Sequence, residues 1–326
     1  MTQPIQRVLS ACLLSVACSL FFAAAHAAEY PVRPIRLVIP FPPGGGSDVI
    51  GRTLGIHLGE RLGQIIVIDN RAGAAGIIGT DLVAKAPADG YTFLLASGSH
   101  GINAVIRDKL PYDPVASFTP ISRLALIPNV LVVHPSVPVA SVQELIALAK
   151  RSPGQLNYAS AGTGSTQHLA TELLKSLAGI DLKHIPYKGA SPAEVDLIAG
   201  RVQVMFGTVP ATVPNSKSGK LRALAVSSAK RTPLLPHLPT VAESGVPGFA
   251  VDSWYGLLGP KGLPPRVVER LNREIKVVLD TPQVKERFAA SGADAISSTP
   301  EELLAFIKAE MAKWAAVARK VDIRAE

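Results

Sequence analysis

The sequence predicts an α/β fold, because short apolar runs typical of buried strands alternate along the chain with segments of helical periodicity. The chain has 326 residues, of which 48% are apolar and 18% charged, so it can bury a large core. Its length fits two lobes of ordinary size or one large α/β unit. The 27 Gly and 27 Pro residues are spread among the apolar runs, which excludes collagen-like and disordered chains.

The first strand–loop–helix–strand unit shows this pattern. Residues 35–39 form a short, mostly apolar run that predicts a strand buried on both faces. The Pro- and Gly-rich residues 41–46 follow as a loop, and Ser47 or Asp48 is expected to cap the next helix. A second strand is predicted at residues 65–68.

The same alternation continues to the end of the chain. Further strands are predicted at residues 92–96, 130–133, 156–158, 184–187, 202–206, 223–227 and 251–258. Helices are predicted at residues 76–86, at 141–150, from about 165, between the later strands, and from 265 to the end. Trp314 lies on the amphipathic last helix and is expected in the core. If the chain forms two lobes, it should cross between them near residues 124–133 and 246–256.

Three predicted helices begin with a capping box, in which a Ser or Thr hydroxyl caps the helix and a Glu three residues later reaches back. The pairs are Ser141 with Glu144, Ser191 with Glu194, and Thr299 with Glu302. In the second and third helices, Pro192 and Pro300 are expected at the first helical position, where a missing N–H costs nothing.

The first 27 residues predict a signal peptide. Arg7 precedes a nearly unbroken apolar stretch over residues 8–25, and Ala-His-Ala at residues 25–27 fits a signal-peptidase site. We therefore expect export to the periplasm, with cleavage after Ala27. A membrane anchor is the alternative, but the stretch is short and no stop-transfer charges follow it.

Both cysteines, Cys12 and Cys18, lie within this segment. Lipidation is a further alternative to cleavage, but Cys12 has almost no apolar stretch before it and Cys18 lacks the aliphatic residue of a lipobox. The mature chain would contain no cysteine, which excludes disulfides, thiolate nucleophiles and Cys-ligated zinc.

Charge and motifs exclude several classes of function. The formal net charge is +8, but no dense Lys/Arg run is present, so no nucleic-acid partner is expected. No two histidines have the i, i+4 spacing of a helical metal pair, and the chain contains no nucleophile elbow, Walker loop or dinucleotide-binding glycine motif. We therefore expect neither a metal nor a cofactor.

Two loops of small residues, at 41–46 and 159–165, lie between a predicted strand and a predicted helix. Gly, Ala and Ser let a ligand approach the main-chain N–H groups of such loops, and the helix N-terminus adds a partial positive charge. This arrangement suits a carboxylate. Glycine-rich turns of this kind are also common packing devices.

Several side chains near the predicted strand ends have two interpretations. Asp48 either caps its helix or meets the ligand, directly through a ligand donor or through water. His168 either faces the ligand or covers the first turn of its helix. Trp254 and Tyr255 are candidates for a cleft wall. Tyr187 follows a strand, at the edge where open α/β sheets bind ligands.

Short motifs occur in a characteristic order along the whole mature chain. They are Tyr30-Pro31, Arg33-Pro34-Ile35, Pro40-Phe41-Pro42-Pro43-Gly44-Gly45 with Asp48, Gly76-Ile77-Ile78-Gly79-Thr80, Asp89-Gly90-Tyr91-Thr92, Leu110-Pro111-Tyr112-Asp113-Pro114, Asn157-Tyr158-Ala159-Ser160, His184-Ile185-Pro186-Tyr187-Lys188-Gly189 and Pro239-Thr240-Val241. In these motifs the chain resembles the Bug family of extracytoplasmic solute receptors, the binding components of tripartite tricarboxylate transporters.

The resemblance implies an α/β fold of the two-lobe periplasmic-binding-protein type (type II, Venus flytrap), with a ligand cleft between the lobes. It implies a discontinuous domain 1 of residues 28–126 and 254–326, and a domain 2 of residues 127–253. It also implies a small carboxylate ligand, held largely by backbone N–H groups and bridging waters. The expected partner of this monomer is a membrane permease of the tripartite tricarboxylate transporter type.

The candidate ligand-binding residues lie at strand ends and turns in both expected domains. From the resemblance and the residues together, they are Phe41, Pro43, Gly44, Gly45, Asp48, Gly73, Ala75, Gly76, Ser97, Ser99, His100, Ser160, Gly162, Thr163, Gly164, Ser165, His168, Tyr187, Gly207, Thr208 and Trp254. Many family members carry an Asp at the position of Gly207, which is followed here by Thr208. This departure bears on the class of ligand.

A non-catalytic receptor is the leading expectation. The alternative is an exported carboxylate-processing enzyme that uses Asp48 with His100 or His168, although no motif places a base within reach of a substrate. A sensor that binds a ligand and docks a signalling partner is a third hypothesis, which the sequence does not separate from a receptor.

Overall fold

Ten strands and their connecting helices form the α/β fold that the sequence predicts, within the residues that this computed structural model describes: 30–232, 235–321 and 323. The signal peptide and its cleavage site, predicted at residues 1–27, lie outside these residues. The strands are β1 (Ile35–Ile39), β2 (Ile66–Asn70), β3 (Thr92–Ser97), β4 (Phe118–Val133), β5 (Asn157–Ser160), β6 (Lys183–Pro186), β7 (Val204–Thr208), β8 (Arg222–Val226), β9 (Asp252–Pro260) and β10 (Asp294–Ala295).

Helices follow most of the strands. They are α1 (Gly46–Leu62), α2 (Ile77–Ala84, after a 3₁₀ turn at Ala74–Gly76), α3 (Gly98–Ile106), α4 (Val142–Arg151), α5 (Thr166–Ala178), α6 (Ala190–Ile198), α7 (Val209–Lys217), α8 (Pro265–Asp280), α9 (Pro282–Ala290) and α10 (Pro300–Val321). In this part of the chain, no helix has the length and hydropathy needed to cross a bilayer.

The strand order is β2-β1-β3-β9-β4-β7-β5-β6, and β8 and β10 pair with β4 outside this row. β1 is parallel to β2 and β3, and β5 is parallel to β6 and β7. We call β1, β2, β3, β9 and β10 with their helices the first lobe, and β5 to β8 with theirs the second lobe. Parallel strands need crossover connections, and helices supply most of them in both lobes.

The long strand β4 runs through both lobes. Its first part pairs with β9 as far as Pro128, opposite Asp252. Its last part pairs with β7 from Asn129 and with β8 from Val130. Proline has no N–H to donate to a strand ladder, so Pro128 lies where β4 changes partners. Together β4 and β9 overlap the two segments that the sequence predicts as connections between lobes.

Clusters of buried apolar side chains stabilise the sheet, and two of them lie wholly among the described residues. One includes Val38 and Leu94 of the first lobe. The other includes Leu131 and Tyr158 of the second lobe together with Trp314 of α10. Trp314 is 1% exposed, which confirms its predicted place in the core. Since α10 also packs against α3, the last helix contributes to the core beside the second lobe.

Two of the predicted capping boxes are confirmed. The Ser141 hydroxyl accepts a hydrogen bond from Glu144 N at 3.2 Å. The Thr299 hydroxyl accepts from Glu302 N at 3.2 Å, while the Glu302 carboxylate accepts from Thr299 N at 2.9 Å. Pro300 is the first residue of α10, as predicted.

The capping box predicted at Ser191 is wrong. α6 begins at Ala190, so Ser191 and Pro192 lie inside its first turn. The N-cap is Gly189, whose φ of 135° is a conformation that favours glycine. The Ser191 hydroxyl instead donates to the Pro43 carbonyl oxygen, 3.1 Å away in the first lobe. Helix α3 is not predicted by the sequence either, because its Gly-Ser-His-Gly start has low helix propensity.

Glu194, the Glu of that wrong capping box, is 6% exposed and accepts a hydrogen bond from Asn215 Nδ2 at 3.0 Å. Burial raises its pKa to about 7, against the opposing effect of the Asn215 hydrogen bond. The folded state therefore holds this proton more tightly than the unfolded state, and stability is lost as the pH rises from about 4.5 through 7.

We expect Glu194→Gln to raise the free energy of unfolding by about 2 kcal/mol at pH 8 and to change it little at pH 5. Urea denaturation at the two pH values measures this difference. The exposed Glu286→Gln is the matched control and should have no effect at either pH. An equal effect of Glu194→Gln at pH 5 and pH 8 would show that folding does not raise the pKa of Glu194.

Candidate functional site

A cavity between the lobes is lined by backbone and by neutral side chains. Its lining residues are Phe41, Pro42, Gly45, Gly46, Ser47, Ser97, Ser99, Ala161, Thr166, Gln167, Ala190, Ser191, Thr208, Ser253 and Tyr255. None of these residues is an Asp, Glu, Lys, Arg or His. Among the described residues, no group of three or more side chains is arranged to hold a metal ion.

Five helices begin at this cavity. Each of the parallel strands β1, β3, β5, β6 and β7 leads at its carboxyl end into a helix whose N-cap or first residues line the cavity, namely α1, α3, α5, α6 and α7. The N–H groups of a first helical turn have no acceptor within the helix, and each helix N-terminus carries about half a positive charge. The cavity therefore has a positive potential without any cationic side chain, which suits an anion.

The first small-residue loop is braced by Asp48. Its carboxylate accepts hydrogen bonds from Gly44 N at 3.1 Å, from Arg52 Nε at 2.9 Å and from Asn70 Nδ2 at 3.1 Å. Asn70 Nδ2 also donates to the Phe41 carbonyl oxygen at 3.0 Å. Asp48 thus holds Gly44 directly and Phe41 through Asn70, and it does not line the cavity.

The predicted capping of α1 by Ser47 or Asp48 is wrong, because the N-cap is Gly45 and no side chain caps this helix. Burial alone would raise the pKa of Asp48, but its hydrogen bonds to Arg52, Gly44 and Asn70 lower the pKa below its usual value. The carboxylate therefore stays ionised while it braces the loop.

The second small-residue loop is braced in the same way. His168 Nδ1 accepts a hydrogen bond from Gly164 N at 3.3 Å, and the Ser160 hydroxyl accepts one from Gly162 N at 3.1 Å. His184 Nε2 lies 2.6 Å from the Ser160 hydroxyl. Asp48 and His168 are both the third residue of their helix, and each accepts from the glycine four residues before it.

The His184 ring stacks between two other rings. Its centroid lies 4.2 Å from that of His168 and 4.7 Å from that of Tyr158. Burial lowers the pKa of His168 to about 4, with a smaller contribution from Lys175. Burial and the neighbouring His168 lower the pKa of His184 to about 3. Both imidazoles are therefore neutral at pH 7, as the bond from Gly164 N requires of His168.

Five of the sequence-predicted site residues line the cavity. These are Phe41, Gly45, Ser97, Ser99 and Thr208. They come from both lobes, and the two small-residue loops both contribute to the lining, the second one through Ala161.

Other predicted residues support the lining from behind. Pro43 and Gly44 complete the first loop, while Ser160, Gly162, Thr163, Gly164 and Ser165 form or flank the second. Ser165 is the N-cap of α5 and accepts from His168 N at 3.2 Å. The turn that contains Gly73, Ala75 and Gly76 contacts the second loop outside the cavity, where a Cβ added to Gly162 would lie 3.7 Å from Ala75 Cβ.

The remaining predicted residues do not line the cavity. His100 Nε2 is hydrogen-bonded to the Pro114 carbonyl oxygen at 2.7 Å, and the Tyr187 hydroxyl donates to Asp196 at 2.8 Å. Gly207 packs against Thr212. Trp254 packs edge-to-face on Phe306, with 5.5 Å between ring centroids. These contacts place His100, Tyr187, Gly207 and Trp254 in the packing around the site.

The start of α6 at Ala190 and Ser191 is absent from the predicted site although it lines the cavity. The signal that could have found it is Gly189, which lies between the end of β6 at Pro186 and the start of α6. Glycines also lie between strand and helix in the other two loops. Tyr255 lines the cavity and Trp254 does not, because successive residues of β9 point to opposite faces of the sheet.

Replacement of His168 tests the brace of the second loop. In His168→Leu the Gly164 N–H loses its acceptor, and a hydrogen bond of this kind contributes about 1 kcal/mol. We therefore expect amide hydrogen exchange of residues 161–165 to become roughly fivefold faster at pH 7.5. His168→Asn keeps an acceptor near the Nδ1 position and should restore most of the protection. The exposed His237→Leu serves as the control. Equal exchange in the Leu and Asn variants would show that the hydrogen bond does not order the loop.

Comparison with known proteins provides independent information about this site. A model of the tripartite tricarboxylate transporter family receptor matches residues 50–323. Protein BugT of Bordetella pertussis is 40% identical over 320 residues, which cover 98% of this chain and 98% of BugT.

Two similar solved structures carry carboxylates. R. palustris Rpa4515 with adipate is 40% identical, with a TM-score of 0.89, and the match covers 91% of this chain and 99% of that chain. MatC (Rpa3494) from Rhodopseudomonas palustris with bound malate is 32% identical, with a TM-score of 0.84, and the match covers 88% of this chain and 99% of that chain.

Proposed function

The chain belongs to the family of tripartite tricarboxylate transporter receptors, as its motifs indicate, and we propose that it captures a small organic carboxylate between its two lobes for delivery to a membrane permease. One observation carries this proposal: five helix N-termini meet at a cavity whose lining contains no ionised side chain. An organic anion satisfies both the free N–H groups and the positive potential.

The energy available from these N–H groups is sufficient for binding. A hydrogen bond from an N–H group to a charged acceptor contributes about 1.5–3 kcal/mol. Three or four such bonds cover a useful part of the ~8 kcal/mol that micromolar affinity requires. The similarity to receptors solved with adipate and with malate supports a carboxylate as the ligand.

Ligand entry requires the lobes to separate, because they touch around the cavity. Ser191 donates to the Pro43 carbonyl oxygen across the cleft. A Cβ added to Gly98 in the first lobe would lie 2.5 Å from Thr166 Oγ1 in the second. We propose that β4 and β9 act as the hinge between domain 1, residues 28–126 with 254–326, and domain 2, residues 127–253.

Delivery to a permease places the receptor outside the cytoplasm. We propose that the chain is exported to the periplasm, is cleaved after Ala27 and acts as a monomer that needs no metal or cofactor. The permease would be the membrane component of a tripartite tricarboxylate transporter and would recognise the closed pair of lobes.

Binding without turnover fits the contacts of the acid–base candidates. An exported enzyme would have to use Asp48 with His100 or His168 as its acid and base. Each of the three is hydrogen-bonded within the protein, and none lines the cavity. We therefore propose a receptor and not a carboxylate-processing enzyme. An unchanged amount of ligand after prolonged incubation with the protein supports this, whereas accumulation of product would favour the enzyme.

Calorimetric titration with adipate and with malate tests the proposal, and Gly98→Ala tests the role of closure. The added methyl group meets Thr166 of the other lobe, so we expect adipate or malate to bind at least tenfold more weakly. Gly101→Ala makes the same change on the same helix, but its Cβ lies 3.1 Å from Cγ of the flexible Met311 side chain, and affinity should change less than threefold. The proposal fails if the unmodified protein binds no carboxylate.

A further inference from the structure

We infer that Asn103 and Arg107, at the end of α3, are positioning residues that hold the two lobes closed from outside the cavity and so set the rate at which a captured ligand leaves. The inference rests on the proposed function and names a control on release that the ligand does not contact, since neither residue lines the cavity. We call Asn103, Arg107 and the carbonyl group of Thr163 the interlobe latch.

Arg107 connects the lobes directly. It is the C-cap of α3 in the first lobe, and its Nη2 donates to the carbonyl oxygen of Thr163, in the second small-residue loop, at 3.4 Å. Its Nε donates to Asn103 Oδ1 at 3.5 Å. A charged donor makes a stronger hydrogen bond than a neutral one, and this one is partly buried, where salt screens it less. The contact therefore favours the closed state.

Asn103 lies where three segments meet and is 1% exposed. Its Nδ2 donates to the Ala75 carbonyl oxygen, in the turn before α2, at 3.1 Å, while its Oδ1 accepts from Arg107. A Cβ added to Gly164 of the second loop would lie 2.3 Å from Asn103 Oδ1, so the backbone of the other lobe approaches this side chain closely. Asn103 thus orients Arg107 toward the second loop and packs against that loop itself.

The turn that Asn103 holds has a strained backbone. Ala74 and Ala75 have φ of 47° and 51°, in the left-handed region that alanine rarely adopts. Such conformations persist where surrounding contacts hold them, and the Asn103 amide supplies one of these contacts. Ala75 also packs near Gly162 of the second loop. The latch therefore fixes the part of the first lobe against which the second loop closes.

The position of the latch determines which rate it controls. A ligand enters when the lobes are apart, and the contact of Arg107 with Thr163 is then broken. Loss of this contact destabilises only the closed state, so it should raise the dissociation rate and leave the association rate unchanged. Since the latch is outside the cavity, the effect should be the same for ligands of different length.

Release of radiolabelled adipate and malate from the mature protein, chased with unlabelled ligand at pH 7.5, measures the dissociation rate. Calorimetric titration gives Kd, and the two together give the association rate. In Arg107→Met we expect release to become about fivefold faster, with the association rate within about twofold of that of the unmodified protein. Arg107→Lys keeps the charge but not the fork that reaches two acceptors, and it should restore part of the retention. The exposed Arg266→Met is the control and should change neither rate.

Two results would count against the latch. An unchanged release rate in Arg107→Met, or a weaker affinity caused mainly by slower association, would overturn the inference and leave the proposed function intact. Binding of neither acid by the unmodified protein would refute the proposed function and the inference with it.

A double-mutant cycle tests whether Asn103 acts through Arg107. Asn103→Leu has nearly the same shape but neither donates nor accepts, and we expect it to speed release about threefold. If the two side chains form one latch, the double variant should release ligand within about twofold of the rate of Arg107→Met. Thermal melting shows which variants are folded. An acceleration equal to the product of the two single effects would overturn the assignment of Asn103 as a positioning residue.

Discussion

The meeting of five helix N-termini at one cavity is the constraint on which the rest of this structure depends. Each helix start leaves N–H groups without an acceptor, and burying such groups unpaired is costly. They can be brought together only around a space that admits water or an anion. This requires β1, β3, β5, β6 and β7 to end at the same cleft, which follows from their pairing in one sheet through β9 and β4.

The loops that approach the cavity are flexible by composition and are held by buried polar side chains. Asp48 and His168 occupy the same position in their helices and accept from Gly44 and Gly164, respectively. One acceptor is an ionised carboxylate with a lowered pKa, and the other is a neutral imidazole with a lowered pKa. Both side chains therefore shape the backbone of the loops, and neither lines the cavity.

The sequence predicts most strands and both loops because apolar runs and Gly-rich turns are local signals. Capping boxes succeed at Ser141 and Thr299, where helix start and cap depend only on neighbouring residues. The same pattern fails at Ser191, whose hydroxyl finds an acceptor 148 residues away in the other lobe. Sequence reasoning also leaves open whether Asp48 and His168 meet the ligand, since no local pattern distinguishes a ligand contact from a brace.

By itself, the sequence determined the α/β class, the order of most elements, the two small-residue loops and the likeness to the receptor family. The tertiary structure alone decided that α6 joins the cavity, that Tyr255 rather than Trp254 lines it, and that its lining lacks ionised side chains. The reason is physical: local patterns depend on residues a few positions apart, whereas a cavity is formed by strand ends that are up to 169 residues apart in the chain and meet only through the sheet.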